Sequence, residues 1–197
     1  MKFNLYSKGN KMKKFLTLLI FVILIVPTLA FSSPKKLVND NDYSDKDFRK
    51  CNITDYSNMV DGDDVNWVWI DPTVKLAGYK FEEGKVENKS ELRSRLMLET
   101  VTKVFKDIFS DIDAKGEKGI LTADICIFEA ENFNANKVWI PFAGAYQMQA
   151  GIGVEMILCD SKNIVIGKFR HSGRKGMLIE NATQEVAGDL MKYIGNH

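Results

Sequence analysis

Histidine is nearly missing from this 197-residue chain, which has only His171 and the final residue, His197. Three cysteines accompany them, Cys51, Cys126 and Cys159, with no Cys-x-x-Cys pair and no Cys/His ligand spacing. That excludes a structural zinc site, and no metal is expected. No Gly-x-Ser-x-Gly segment surrounds a serine, so Ser172 beside His171 has no nucleophile motif to support it. The Gly-x-Gly at Gly151 and Gly153, in MQAGIGVEMILCD, lacks the third glycine and the helix start of a dinucleotide fingerprint. Gly153 leads instead into VEMILC, β-branched and alternating. The pair therefore belongs to a strand that needs small residues for close packing. No cofactor is expected.

Long apolar runs are also missing after residue 30. The one present, FLTLLIFVILIVPTLA from Phe15 to Ala30, comes after Lys2, Lys8, Lys11, Lys13 and Lys14. Thr28 and Ala30 supply the small-x-small exit of a secretory signal peptide over residues 1–30. The run is shorter than a spanning helix prefers and Pro27 interrupts it, which favours cleavage over a retained anchor. Met12 begins a compact leader of its own, MKKFLTLLIF, and is an alternative start. With the leader gone no stable transmembrane span remains, and a periplasmic or secreted location is expected. No cysteine stands just after the exit, so lipid has no acceptor there.

Five lysines and no acid precede Phe31, so 22 of the 27 Lys and Arg remain against all 26 Asp and Glu, a net of −4. Such a chain has no general pull toward nucleic acid, and none is expected as partner. Residues 31–60, with SSPKK and NDNDYSDKD, read as a flexible linker. Asp40, Asp42, Asp45 and Asp47 do not make a calcium loop, since Cys51 stands where the closing Glu belongs. Residues 61–197 read as a single domain.

Within it, VNWVWI alternates as a strand until Pro72, and GYKFEEGKVE is a second extended segment with a turn or bulge at Gly84. SELRSRLMLETVTKVFKDIFSDI is a long helix whose stripe is Leu98, Val101, Phe105, Ile108 and Ile112, with Asn88 or Ser90 as cap. ILTADICIFEAENF is an inner strand. VEMILC and IVIGKF form an antiparallel hairpin over Asp160–Asn163, with Asn163 suited to a left-handed turn. ENATQEVAGDLMKYIGNH is a terminal helix with Ala182, Val186, Leu190 and Ile194 inward, capped at Asn181 and Gln184 and stopped at Gly195. The order predicts an α+β fold, an antiparallel or mixed sheet of about five strands with one long and one C-terminal helix packed on it.

WVWIDPTVKLAGY, ADICIFEA, AGIGVEMILCDSKNIVIGKF and AGDLMKYI together resemble a domain of unknown function found in bacterial envelope proteins, many of them lipoproteins. The resemblance covers about residues 65–195. More distantly, the order is similar to the small α/β domain of curli-secretion and TolB-type envelope proteins. It implies action through protein contacts, with an envelope protein as partner.

Three candidate sites arise from the residues. KFRHSGRKG gathers Lys168, Arg170, His171, Arg174 and Lys175 and suits an anion or an acidic partner surface, against the alternative of a solvated loop. VWIPFAGAY offers Trp139, Phe142 and Tyr146, with Trp67 and Trp69, as a partner-binding aromatic loop or as rings covering the core. Asp61, Asp63, Asp64 and Asp71 with His171 would be the groups of a small hydrolase. No residue is assigned as catalytic, and the chain is expected to be a binding or assembly component. Cys126 and Cys159 lie on strands that pair, so a disulfide between them is conceivable beside the alternative of free thiols, with Cys51 left for an intermolecular bond.

Overall fold

In the computed structural model the described residues are 36–38, 50–111, 118–136 and 144–197. The leader, Trp139 and Phe142 lie outside them. The elements are β1 (Val60–Asp61), β2 (Trp67–Ile70), β3 (Lys80–Asn88), α1 (Arg95–Asp111), β4 (Ile120–Glu131), α2 (Gly144–Met148), β5 (Gly151–Cys159), β6 (Val165–Arg174) and α3 (Ile179–Gly195). The strands make one six-stranded sheet in the order β1-β2-β6-β5-β4-β3. All neighbours are antiparallel except β3 and β4, which are parallel and joined through α1. The fold is the α+β class, with a mixed sheet; the sixth strand is the two-residue β1, too short to show periodicity.

Alternation along the strands gives the sheet two faces. The register places Ile125, Met156, Phe169 and Val68 in one row across four strands. All four are buried under the helices with Val101, Phe105, Val186 and Leu190. Among the described residues the predicted stripes face the core, except that α1 also turns Met97, Val104 and Phe109 inward and leaves Leu98 and Ile108 half-buried; Ile112 lies outside the described residues. Both helices start at other residues than expected. The Ser94 hydroxyl, not Asn88 or Ser90, accepts from the Met97 amide at the start of α1. The Asn88 carboxamide instead closes a local turn onto Ser90. At α3 the capping position is Leu178, with no side-chain bond, and Asn181 lies inside the helix.

The hairpin forms as predicted. The Asp160 carboxylate accepts from the amides of Lys162 and Ile164, both at 2.8 Å, and Asn163 takes φ 60°. The glycine pair serves close packing. β4 bulges at Phe128, and a Cβ on Gly153 would stand 2.5 Å from that ring. The Arg174 side chain covers Gly151 in the same way.

The opposite face corrects the linker expectation. The compact unit spans Lys35–His197, and Val38, Ile53, Tyr56 and Met59 are buried against Trp67, Trp69 and Ile157. Leu37 bridges to Val60, and the Asp61 amide donates to the Lys36 carbonyl at 2.8 Å. Residues 36–38 and 50–59 thus form an arm that covers this face. The arm is also covalent, because Cys51 is bonded to Cys126 across 75 residues while Cys159 is free. The Cys126–Cys159 pair, weighed beside two free thiols, fails on register, and Cys51 is bonded within the chain and not left for an intermolecular bond. Cys126 stands opposite Glu155 and Cys159 opposite Thr122, four residues or roughly 13 Å apart along the sheet.

Two measurements check this packing. Removing the disulfide by Cys51→Ser is expected to lower stability by about 4–5 kcal/mol in chemical denaturation, as a loop closed across 75 residues predicts. Gly153→Ala is expected to cost about 1–3 kcal/mol by forcing Phe128 aside, whereas Gly188→Ala, exposed on α3 with no atom within 4 Å of the new Cβ, is expected to add about 0.5–1 kcal/mol.

Candidate functional site

The strongest polar constellation lies under the arm. Glu155 is the lone charge in the strand GIGVEMILC, and alternation puts it on the arm face, where it is 0% exposed. A buried carboxylate needs donors, and the chain brings five. The successive amides of Cys51, Asn52 and Ile53 donate to Oε2 at 3.2, 2.9 and 3.0 Å. The Tyr56 hydroxyl donates to Oε1 at 2.5 Å, and the Arg170 guanidinium pairs with the same oxygen. Arg170 comes from the facing position of β6, and its guanidinium lies 3.6 Å from the centroid of the Phe128 ring. Burial, then the bond to Glu155, pushes the Tyr56 phenol far above its usual range. The carboxamide of Asn52 donates to the Asp124 carbonyl at 3.3 Å and leaves its own oxygen buried without a partner.

This arrangement fixes the arm and does little else chemically. Both carboxylate oxygens are occupied, so Glu155 has no open position from which to take a proton from a substrate. The predicted basic turn is dispersed by the same alternation. Lys168, Arg170 and Arg174 fall on the arm face and His171 on the helix face. Lys168 donates to the Asp55 carbonyl at 3.0 Å and stands 5.2 Å from the Trp69 ring centroid. Arg174 pairs with Glu131 at 2.8 Å and Glu129 at 3.4 Å, the bond to Glu131 first among the causes that raise its pKa. Lys175 pairs with Glu185 at 3.3 Å. The structure does not bring these five residues into one anion site.

The hydrolase groups are spread out as well. His171 is buried, with Nε2 3.2 Å from an Asp189 oxygen and Nδ1 3.1 Å from the Asn66 carboxamide oxygen. Ser172, its neighbour in the strand, points to the other face. Asp71 accepts from the Thr73 amide and hydroxyl, which lower its pKa, and Asp64 accepts from Lys192 at 2.6 Å. Among the described residues no group of three or more His, Cys, Asp and Glu gathers as metal ligands. Of the aromatic loop, Tyr146 on α2 is 60% exposed. Trp67 and Trp69 are half-buried beneath the arm. The Cys159 thiol, half-buried, is raised by burial and by Asp124 and Asp160.

Sequence reasoning missed Glu155, Tyr56 and the amides of 51–53. The signal for the pair was incomplete: extending the Asp160–Asn163 hairpin residue for residue sets 155 opposite 168, and the register, with its irregularity between Leu158 and Cys159, moves the partner to Arg170. The arm's signal was weaker: Ile53, Tyr56 and Met59 recur every third residue among polar neighbours.

Two shallow hollows flank the first turn of α1. One, about 490 Å³, is lined by the end of β3 with Lys89, Arg93 and Arg95. The other, about 330 Å³, is lined by Leu92, Leu96, Leu178 and Ile179.

No family model matches the chain, and comparison with curated proteins found no match. Among solved structures, a PelC dodecamer variant from Paraburkholderia phytofirmans overlaps at 10% identity and a TM-score of 0.40, covering 65% of this chain and 95% of that one. A second PelC dodecamer from the same organism overlaps at 14% identity and 0.37, covering 66% and 93%. Overlap at this level fixes neither fold nor activity.

The constellation under the arm is directly testable. Glu155→Ala is expected to lower stability by about 3–5 kcal/mol in denaturant titration, since it takes the shared carboxylate acceptor from the buried Arg170, the Tyr56 hydroxyl and the amides of Cys51, Asn52 and Ile53. Tyr56 gives a pH dependence. An unfolded phenol ionises near pH 10, while the folded one keeps its proton higher, so stability is full below about pH 10 and falls as pH rises beyond it. Tyr56→Phe is expected to remove that share of the alkaline loss in melting temperatures measured from pH 8 to 11.

Proposed function

We propose that this chain is an exported component of the bacterial envelope, periplasmic or secreted, that acts by binding a protein partner. The observation that carries the reading is the bond between Cys51 and Cys126. It closes a long loop and supports a chain that matures where disulfides persist. It agrees with the leader at residues 1–30, read independently from the sequence. Among the described residues no helix is long and apolar enough to cross a membrane.

The binding half of the proposal rests on how the polar groups are used. Glu155, Arg170, His171 and Arg174 each hold one segment of the chain to another. Groups so committed serve architecture, and recognition is left to the surface. The resemblance of WVWIDPTVKLAGY and AGIGVEMILCDSKNIVIGKF to envelope domains points the same way, toward contacts with other envelope proteins.

Fractionation of cells expressing the full chain tests export. The expected result is a protein in the periplasm or medium, shortened by the leader, with Cys51 and Cys126 linked and Cys159 alkylatable after unfolding. Accumulation in the cytosol at full length with three reduced thiols overturns the reading.

A further inference from the structure

The two hollows meet at Ser94, the residue that caps α1. They lie at one end of the molecule because β3 and β6 run the same way, so α1 and α3, which come next in the chain, both begin there. The larger hollow is cationic: Lys89, Arg93 and Arg95 face Glu87 alone among its charged residues. Glu87 lies 3.8 Å from Lys89, and Arg95 is 2.7 Å from Glu99 outside the hollow. Arg93 donates through Nη1 to the Asn88 carbonyl and keeps the rest of its fork toward solvent.

The smaller hollow is apolar, and its rim is unusual. Leu96 is 73% exposed, Leu178 60%, and Met177, next in sequence, 64%. Leu178 occupies the capping position of α3, where serine, threonine, aspartate or asparagine stabilises the first turn by about 1 kcal/mol. Met177 and Leu178 thus forgo a cap and do not enter the core. Leu96 and Leu178, exposed on one rim, with Met177 exposed next in the chain, mark a contact surface against the local preference of the backbone.

We propose that this end of the molecule docks a segment of a partner protein that carries carboxylates beside large apolar side chains. The carboxylates seat against Lys89, Arg93 and Arg95, and the apolar side chains against Leu96, Met177 and Leu178. Charge decides between this partner and an anionic lipid surface. A broad surface would meet Glu91, Glu99, Glu129, Glu131 and Glu180 as well as the cations, and its net attraction would be small. A narrow segment in the larger hollow meets three cations and one acid. The inference rests on the reading that the chain acts through a protein partner, and it names the surface and the chemistry of that partner.

The probe is a pool of synthetic peptides about twelve residues long, built from Glu, Leu and Gly in mixed order. Two control pools replace Glu by Lys or Leu by Ser. Binding to protein purified from cells expressing the full chain is read by fluorescence anisotropy, and the contact is mapped by amide chemical shifts. The Glu/Leu pool is expected to bind, with shifts at residues 87–98 and 177–180, and each control pool to bind about tenfold more weakly, as loss of one complementary element predicts. Raising salt should weaken the Glu/Leu pool. The double variant Arg93→Ala/Arg95→Ala, and separately Leu178→Ser, should each weaken it about tenfold while the melting temperature holds, because these side chains lie outside the core.

Absence of binding by the Glu/Leu pool, equal binding by the Lys pool, or shifts mapped elsewhere overturns the proposal. So does binding to phosphatidylglycerol vesicles that Leu178→Ser abolishes and the peptides do not displace. Fractionation decides export separately. An exported protein that ignores the peptides refutes this docking surface and leaves the export reading standing.

Discussion

A carboxylate sealed from water is the constraint on which the rest of the structure depends. Glu155 sits at the centre of a strand whose other side chains are apolar, and burying its charge alone would cost several kcal/mol. The chain meets that cost with a guanidinium from the neighbouring strand and with a segment nearly a hundred residues upstream. Because three of the donors are consecutive backbone amides, residues 51–53 must adopt one conformation and lie at one place on the sheet. That placement brings Cys51 against Cys126, which stands beside Glu155 in the register. The same placement brings Ile53, Tyr56 and Met59 over Trp67, Trp69 and Ile157. Electrostatics positions the arm, apolar burial adds area, and the covalent bond makes the arrangement permanent.

The consequence for function is a division of the molecule. The helix side is an ordinary apolar core. The arm side is closed by polar groups that satisfy one another, as Arg170 and Tyr56 do on Glu155, while on the helix side His171 joins β6 to Asn66 and to Asp189 on α3. Side chains that looked reactive in the sequence are therefore structural cross-ties. The docking surface we propose lies at the end where both long helices begin. There the backbone direction is fixed by the parallel crossover, and the residues between strand and helix are released from packing.

Much of the fold was legible because its signals are local. Val186 and Leu190 on one helix stripe, Asn163 in its turn and the small residues Gly151 and Gly153 all carry their meaning within a few positions. The candidate site was legible only in fragments. The basic turn looks like a cluster because four cations and a histidine fall within eight residues, yet strand alternation sends Arg170 and His171 to opposite faces. Cys126 and Cys159 looked like partners because their strands pair, but pairing of strands says nothing until the register is known. The arm was read as linker because its apolar residues are sparse and their period of three belongs to neither helix nor strand. Its order comes from Glu155, a hundred residues away, and no local pattern records that. Leu178 defeated the prediction of the helix start for the opposite reason, since it breaks the local rule that capping arguments use.

The position of the cross-link has a mechanical meaning. Tension applied to the chain on the amino-terminal side of Cys51 reaches that residue and passes through sulfur into β4, an inner strand bonded on both flanks. Without that bond the load would fall first on the arm and then on two-residue β1, which would peel away one pair of hydrogen bonds at a time. With it, the pull must shear β4 against β3 and β5 at once. The bond thus works like a bolt through a plate, holding the arm to the centre of the sheet and not to its edge.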